Sequence, residues 1–283
     1  MKKEELQMKI YDMHIHCRHG EPCADGLLEK MEKAGVYGGV FLSPAPMEYR
    51  KGKYVCQLPY RERIERLFQW TAPSNGRLFP FLWVHPYEKD ALEIIKEGAK
   101  EGVMGYKMIC DSFYVYESAT LKAMEAIAET GLPILFHSGI LYDAAPSAQY
   151  NRPANWECLL HYPGLRFAMG HCSWPWHDEC IAMYGKFEFN HTLGPASEMY
   201  FDLTRGTPKI YRRELLTKLY TVGMDVEDNI LYGTDENTGN YNWEDVKERI
   251  RYDNEIFDEL GLTREQREKV FEKNLMRFLG KDK

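Results

Sequence analysis

The chain has 283 residues, 44% of them hydrophobic, which is enough for one domain with a single large core. Its 36 Lys and Arg residues against 43 Asp and Glu residues give a formal net charge of -7, which argues against a nucleic-acid partner because no broad basic surface is available. The sequence shows neither an apolar stretch long enough to span a membrane nor the apolar run of a secretory signal, and we expect no membrane association.

Eight short apolar runs recur along the chain, and segments with helical spacing of apolar residues separate them. The predicted strands are residues 9–13, 36–42, 78–84, 103–109, 132–136, 165–170, 199–203 and 229–232. The clearest predicted helices are residues 26–34, 61–70, 92–99, 121–128 and 210–220. Glycines suited to left-handed helix caps stand before the following strands at Gly35, Gly102, Gly131 and Gly223.

This alternation of buried strands and helices predicts a parallel sheet covered by helices, and eight such units are enough to close a barrel. We therefore predict a single-domain (β/α)8 TIM barrel over residues 1–283, with an open doubly wound sheet as the alternative. The sequence lacks G-x-G-x-x-G and phosphate-loop motifs, which argues against nucleotide binding. The connection over residues 172–199 is long, and Trp174, Pro175 and Trp176 within it suggest an ordered lid.

The cysteines bear on the compartment. There are seven of them, an odd number, and they are scattered without any C-x-x-C pair. This pattern favours free thiols over a disulfide framework or a closed zinc knuckle. We therefore predict a reducing, cytoplasmic location.

The first predicted strand runs into the sequence DMHIH, where one residue separates His14 from His16. Because side chains alternate along a strand, both imidazoles point to the same face. Neutral imidazole nitrogens are ligands for zinc and related divalent metals. By itself the motif fits a polar turn or a surface pair equally well.

Three other predicted strands also end in metal-ligating side chains. His137 follows LPILF, His171 follows FAMG and Asp235 follows ILYGT. In a parallel barrel the carboxyl ends of all strands share one rim, so these residues are expected to converge with His14 and His16. The convergence favours a metal site over separate polar roles.

Five segments together resemble the amidohydrolase superfamily over nearly the whole chain: DMHIH, LPILFHSG, MGHCSWP, ILYGTD and the closing FEKNLMRFLG. The resemblance is to the amidohydrolase-2 branch of metal-dependent TIM-barrel hydrolases and decarboxylases. It implies that His14, His16, His137 and Asp235 bind a catalytic divalent metal. It also implies that Asp235 takes the proton of the attacking water, and that His171 is the second catalytic residue.

Two residues leave the number of metal ions open. The resemblance implies that His171 contacts the water or substrate in a one-metal site, or binds a second metal in a two-metal site. Lys107 ends the fourth predicted strand, where two-metal relatives carry a lysine carboxylated by carbon dioxide. As an ammonium, it would instead bind a substrate carboxylate or pair with Asp235. We expect one ion, with two as the alternative.

Other polar residues receive lesser roles. Asp12 is expected to hold the strand end or to orient a neighbouring ligand. The remaining histidines are expected to have ordinary polar or capping roles: His19, His85, His161, His177 and His191. The arginines that are candidates for holding a substrate carboxylate are Arg18, Arg152 and Arg205, with Arg152 favoured as a surface charge.

The expected activity is hydrolysis of a small amide, lactone or ester by a metal-activated water. The alternatives are decarboxylation of a small carboxylate and a barrel that binds ligands without catalysis. We expect zinc as the cofactor, with manganese as the alternative. The expected partner is a small-molecule substrate, and homo-oligomerisation is left open.

Overall fold

The computed structural model describes residues 8–17, 23–46, 58–142 and 146–282. Within these ranges one sheet contains nine strands, and every pairing in it is parallel. The strands are β1 Tyr11–His16, β2 Gly38–Leu42, β3 Leu78–Trp83, β4 Gly105–Met108, β5 Ile134–Phe136, β6 Arg166–Met169, β7 Glu198–Asp202, β8 Ile230–Leu231 and β9 Glu236–Asn237.

Helices lie between the strands and cover the outer face of the sheet. They are α1 Ala24–Ala34, α2 Tyr60–Thr71, α3 Ala91–Glu101, α4 Ser118–Thr130, α5 Ser147–Tyr150, α6 His177–His191, α7 Lys209–Thr221, α8 Trp243–Glu259, α9 Arg264–Glu268 and α10 Asn274–Phe278. The five helices predicted from apolar spacing are confirmed, with ends that differ by three residues at most. All four predicted glycine caps have a left-handed backbone.

The predicted TIM barrel is confirmed, with an interrupted eighth strand. The order in the sheet runs from β8 through β7 to β1 and then β9, so its two ends are consecutive in the chain. Ile230 in β8 pairs with β7, whereas Glu236 in β9 pairs with Ile15 of β1. The Met13 amide also donates to the Tyr232 carbonyl oxygen at 2.8 Å. The ninth strand is therefore the second half of the eighth, and it closes the ring.

A bulge in β1 sets which side chains enter the barrel. The register with β2 shifts between Asp12 and Ile15. Met13 packs in the smaller hydrophobic cluster, inside the barrel, whereas Ile15 packs in the larger cluster between sheet and helices. The shift changes the side-chain alternation, as bulges do. Because of this shift, His14 and His16 point into the barrel just beyond the apolar layer that contains Met13.

The C-terminal helix α10 closes the amino-terminal end of the barrel. Phe278 is fully buried, and its ring lies 6.4 Å from Phe81 and 4.9 Å from Tyr200, centroid to centroid. Gly105 in β4 leaves room for this layer, because a Cβ there would lie 2.3 Å from the Phe81 ring. The interior is thus mainly apolar at this end, whereas the predicted ligands lie at the opposite rim.

The connection over residues 172–199 owes its length to α6, which the sequence analysis did not place. One reason is that Phe189, which is 63% exposed, interrupts the apolar stripe. Trp174 in the predicted lid is half-buried, and its ring lies 6.3 Å from Tyr142 and 6.2 Å from Tyr211. The three rings join the connections that follow β5, β6 and β7.

No helix in the described part of the chain is long and apolar enough to cross a membrane. The cysteines within that part are all free thiols: Cys17, Cys23, Cys110, Cys158, Cys172 and Cys180. Cys56 lies outside the described residues.

We predict that Phe278→Ala lowers the free energy of unfolding by about 3–5 kcal/mol, because it empties a fully buried aromatic site. Chemical denaturation measures the change. The matched control is Phe189→Ala on the exposed side of α6, which we expect to change stability by about 0.5 kcal/mol or less. Equal losses in the two variants would contradict the role of α10 as the closing layer.

Candidate active site

His14, His16 and Asp235 meet at the carboxyl-terminal rim of the barrel. The Nε2 atoms of His14 and His16 are 3.1 Å apart, and Asp235 Oδ1 lies 3.0 Å from His16 Nε2 and 3.6 Å from His14 Nε2. These three ligand atoms lie within 4.8 Å of one another. Two imidazole nitrogens and a carboxylate oxygen directed at one point form a ligand set that suits a divalent metal.

The backbone at Asp235 is held in an uncommon conformation. Its φ of 60° is left-handed, which non-glycine residues rarely adopt. The preceding Thr234 is fixed by Asp12, which accepts hydrogen bonds from the Thr234 amide at 2.9 Å and its hydroxyl at 2.5 Å. Asp12 also accepts from the His14 amide at 3.0 Å. One buried carboxylate therefore ties β1 to the turn that presents Asp235.

Asp12 thus holds the strand ends, as expected from the sequence, through contacts with Thr234 and the His14 main chain. Burial raises the pKa of Asp12 to about 7, against the opposing effect of these hydrogen bonds. Gly233 lets the same turn pass close to the site. A Cβ at Gly233 would lie 2.4 Å from Thr204 Cγ2 and 2.8 Å from Asp202 Oδ1.

His137 and His171 form a second pair beside this cluster. His137 Nδ1 lies 3.2 Å from His171 Nε2. The other ring nitrogen of His137, Nε2, is buried and has no hydrogen-bond partner among the described residues. A buried polar atom without a partner is costly unless a ligand satisfies it, and an imidazole nitrogen suits a metal ion. The arrangement therefore fits His137 as a further ligand, although it lies outside the group of three.

Lys107 is fully buried in β4 and enters the same space. Its Nζ lies 3.3 Å from His14 Nε2. Burial lowers the pKa of Lys107 to about 8, partly offset by the negative charges of Asp202 and Asp235. The structure therefore brings Lys107 next to His14, one of the predicted ligands.

Burial sets the charge state of the ligands. It lowers the pKa of His14, His137 and His171 below the ordinary value, which favours the neutral imidazole that binds metal. Burial works against ionisation of Asp235, but the hydrogen bond from His16 and the positive charge of the nearby histidines when they are protonated outweigh it and hold the pKa of Asp235 well below the ordinary value. Burial therefore favours the neutral form of His14, His137 and His171 beside an ionised Asp235 carboxylate.

Asp202 and Thr204 are site residues that were not predicted from the sequence. Asp202 is the last residue of β7 and is fully buried, with its Oδ2 2.8 Å from His14 Nδ1. The Thr204 hydroxyl lies 3.0 Å from Asp202 Oδ2 and 2.9 Å from His171 Nδ1. Burial raises the pKa of Asp202 to about 6, while His171 and Lys107 act in the opposite direction. The available signal was the sequence MYFD, an apolar strand that ends in a carboxylate as ILYGTD does.

The remaining candidate residues lie away from this centre or outside the described ranges. Arg205 is half-exposed and lies 3.4 Å from Glu236, at the rim. Arg152 pairs with Glu179 at the surface, as favoured from the sequence. Arg18 and His19 lie outside the described residues.

The other histidines have ordinary surroundings. His85 is buried, and its Nδ1 accepts from the Tyr87 amide. His177 Nε2 lies 3.2 Å from the Thr207 hydroxyl. His161 and His191 are exposed.

Solved structures with the same fold cover almost the whole chain. An uncharacterised TIM-barrel protein of Bordetella bronchiseptica is 15% identical, with a TM-score of 0.70 and coverage of 97% of this chain and 99% of that one. A candidate 2-pyrone-4,6-dicarboxylic acid hydrolase of Pseudomonas putida is 15% identical, with a TM-score of 0.65 and coverage of 98% and 100%. At these identities the likeness establishes the fold alone.

A third similar structure contains a metal. The 5-carboxyvanillate decarboxylase of Novosphingobium aromaticivorans with bound manganese is 13% identical, with a TM-score of 0.60 and coverage of 90% of this chain and 80% of that one. A search of curated proteins finds no match. The sequence model of the amidohydrolase family, by contrast, matches residues 11–281. The chain therefore belongs to the amidohydrolase family, a family of metal-dependent enzymes.

Proposed function

We propose that this enzyme hydrolyses a small amide, lactone or ester with one divalent cation held by His14, His16, His137 and Asp235. The observation that carries the proposal is the convergence of two imidazole nitrogens and a carboxylate oxygen within 4.8 Å at the barrel rim. Zinc is the proposed ion because nitrogen-rich sets with one carboxylate suit it, and manganese is the alternative.

A divalent cation bound there supplies a Lewis acid and lowers the pKa of water toward neutrality. The open side of the cluster is at Asp235, whose side chain is 32% exposed, compared with 16% for His16 and 1% for His14. Substrate therefore approaches past Asp235. This ionised carboxylate is placed to accept the proton of the attacking water and to pass it to the leaving group.

We assign His171 to contact with water or substrate. Its ring lies beside His137, and burial favours its neutral form. Its Nδ1 lies 2.9 Å from the Thr204 hydroxyl, so a bound water or substrate would use Nε2, which lies 3.2 Å from His137 Nδ1 in this structure. In this proposal His171 binds no second metal.

Decarboxylation is the second candidate, and Lys107 is the observation that favours it. Its ammonium, buried 3.3 Å from His14 Nε2, offers a cation for a substrate carboxylate. The manganese-containing structural neighbour is a decarboxylase, which agrees with this alternative. Hydrolysis is preferred because Asp235, the most exposed of the three clustered residues, is suited to accept a proton from water.

Product analysis in ¹⁸O-labelled water distinguishes the two reactions. A panel of small amides, lactones, esters and aromatic carboxylates is incubated with the metal-loaded enzyme. We expect turnover of an acyl compound with ¹⁸O in the new carboxylate and no release of carbon dioxide. Release of carbon dioxide together with an organic product that contains no ¹⁸O would establish decarboxylation instead.

We predict that the double variant His14→Ala, His16→Ala loses its metal, because it removes two of the three clustered ligands. Elemental analysis after dialysis measures the stoichiometry, and circular dichroism checks that the barrel remains folded, as expected for rim residues. The matched control His161→Ala, His191→Ala removes two exposed imidazoles and is expected to keep the metal. Full retention of metal in the His14, His16 variant contradicts the site.

We predict that Lys107 acts as an ammonium and that the protein binds one metal ion. The Lys107→Ala variant should then keep its stoichiometry near one, independently of bicarbonate, and should bind acidic substrates more weakly. Reconstitution with metal, with and without bicarbonate, measures this, and Lys96→Ala at an exposed position is the control. Two ions per chain that require both bicarbonate and Lys107 would show a carboxylated lysine instead.

A further inference from the structure

Asp202 sits at the branch point of two hydrogen-bond chains that lead to the candidate ligands. Its Oδ2 lies 2.8 Å from His14 Nδ1 and 3.0 Å from the Thr204 hydroxyl, and its Oδ1 accepts from the Thr204 amide at 3.0 Å. An ionised carboxylate can only accept hydrogen bonds. The shared proton must therefore reside on its partner in each contact.

The first chain fixes His14. Because Asp202 accepts, the proton of the neutral His14 ring is on Nδ1, and Nε2 keeps its lone pair. The surroundings of Nε2 agree, since the Lys107 ammonium, which can only donate, lies 3.3 Å away. His14 thus directs an unprotonated Nε2 toward the cluster that it forms with His16 and Asp235.

The second chain starts at Thr204. A hydroxyl has one hydrogen, and here it is donated to Asp202. The Thr204 oxygen must therefore accept from His171 Nδ1, which lies 2.9 Å away. The proton of a neutral His171 is then on Nδ1, and His171 Nε2 carries a lone pair.

The same assignment of donors and acceptors determines the tautomer of His137. His171 Nε2 can only accept, so His137 Nδ1, 3.2 Å away, must donate to it. His137 Nε2 is then the bare nitrogen, and it is the buried atom without a partner among the described residues. The two hydrogen-bond chains from Asp202 therefore end in unprotonated Nε2 atoms, one on His14 and one on His137.

We propose that Asp202 is a positioning residue that sets the tautomers of His14, His171 and His137, with Thr204 as the link to the second chain. The consequence is that His14 and His137 offer Nε2, the nitrogen aimed into the site, to a cation. The role of these tautomers in metal binding rests on the proposed function, but the tautomers themselves can be measured in the metal-free protein. Carboxylates that orient metal-binding imidazoles in this manner typically contribute 10–100-fold in affinity.

The test is long-range ¹H–¹⁵N correlation NMR of the metal-free, ¹⁵N-histidine-labelled protein at mildly alkaline pH, where the imidazoles are neutral. Single His-to-Gln replacements assign the signals. In the wild type, His14, His171 and His137 should all carry the proton on Nδ1. Any of the three found with the proton on Nε2 would overturn the proposal, whatever the enzyme's activity.

Thr204→Val separates the two chains. It removes the hydroxyl at nearly constant volume, so His171 and His137 should show mixed tautomers while His14 stays protonated on Nδ1. Thr204→Ser should restore the wild-type pattern. The matched control is Thr207→Val, since among the described residues the Thr207 hydroxyl forms hydrogen bonds with the main-chain oxygen of His171 and the side chain of His177 and with neither Asp202 nor an imidazole of the two chains. Unchanged His171 and His137 tautomers in Thr204→Val would contradict the link.

Asp202→Ala removes the branch point. We expect it to release the His14 tautomer as well and to weaken metal binding by about 10–100-fold, measured by chelator competition. Thr204→Val should weaken metal binding less, because it affects only the His137 ligand. If Asp202→Ala does not fold, the Thr204→Val and Thr204→Ser variants still test whether the second chain sets the tautomers of His171 and His137. Wild-type metal affinity in a folded Asp202→Ala variant would overturn the positioning role.

Discussion

Asp12 accepts three hydrogen bonds that join the first strand of the barrel to the turn after β8, two from Thr234 and one from the His14 amide. This contact helps to position the ligands from opposite ends of the sequence, because His14 and Asp235 come together where the ring closes. The pairing of Ile15 with Glu236 continues the same junction. The same junction therefore closes the barrel and brings the site residues together.

The geometry of the rim lowers the stability of the fold locally. Lys107, Asp12 and Asp202 are fully buried ionisable groups, which cost free energy unless they are hydrogen-bonded or paired. The backbone is left-handed at Asp235 and at three consecutive residues from His171 to Ser173. Such conformations cost about 1–3 kcal/mol each and occur mainly at functional sites. The apolar layer around Phe278, at the opposite end, stabilises the barrel that carries this strain.

The sequence predicted the barrel because strand and helix periods alternate clearly, and it placed His14, His16 and Asp235 on one rim because parallel strands end together. It could not predict the break in the eighth strand, since Glu236 and Asn237 form too short a strand to show a period. It missed Asp202 because one carboxylate at the end of MYFD does not show which residue it contacts, and only the fold reveals that it faces His14. The charge state of Lys107 depends on burial and neighbours, which spacing along a sequence does not contain.

The central claim is that His14, His16 and Asp235 hold a divalent cation, and anomalous X-ray diffraction from zinc-replete crystals tests it most directly. Data collected on either side of the zinc absorption edge locate the ion independently of the protein coordinates. The account predicts one strong peak at about 2.0–2.2 Å from Nε2 of both histidines and from a carboxylate oxygen of Asp235. A peak at another place, or none at the rim, would contradict it.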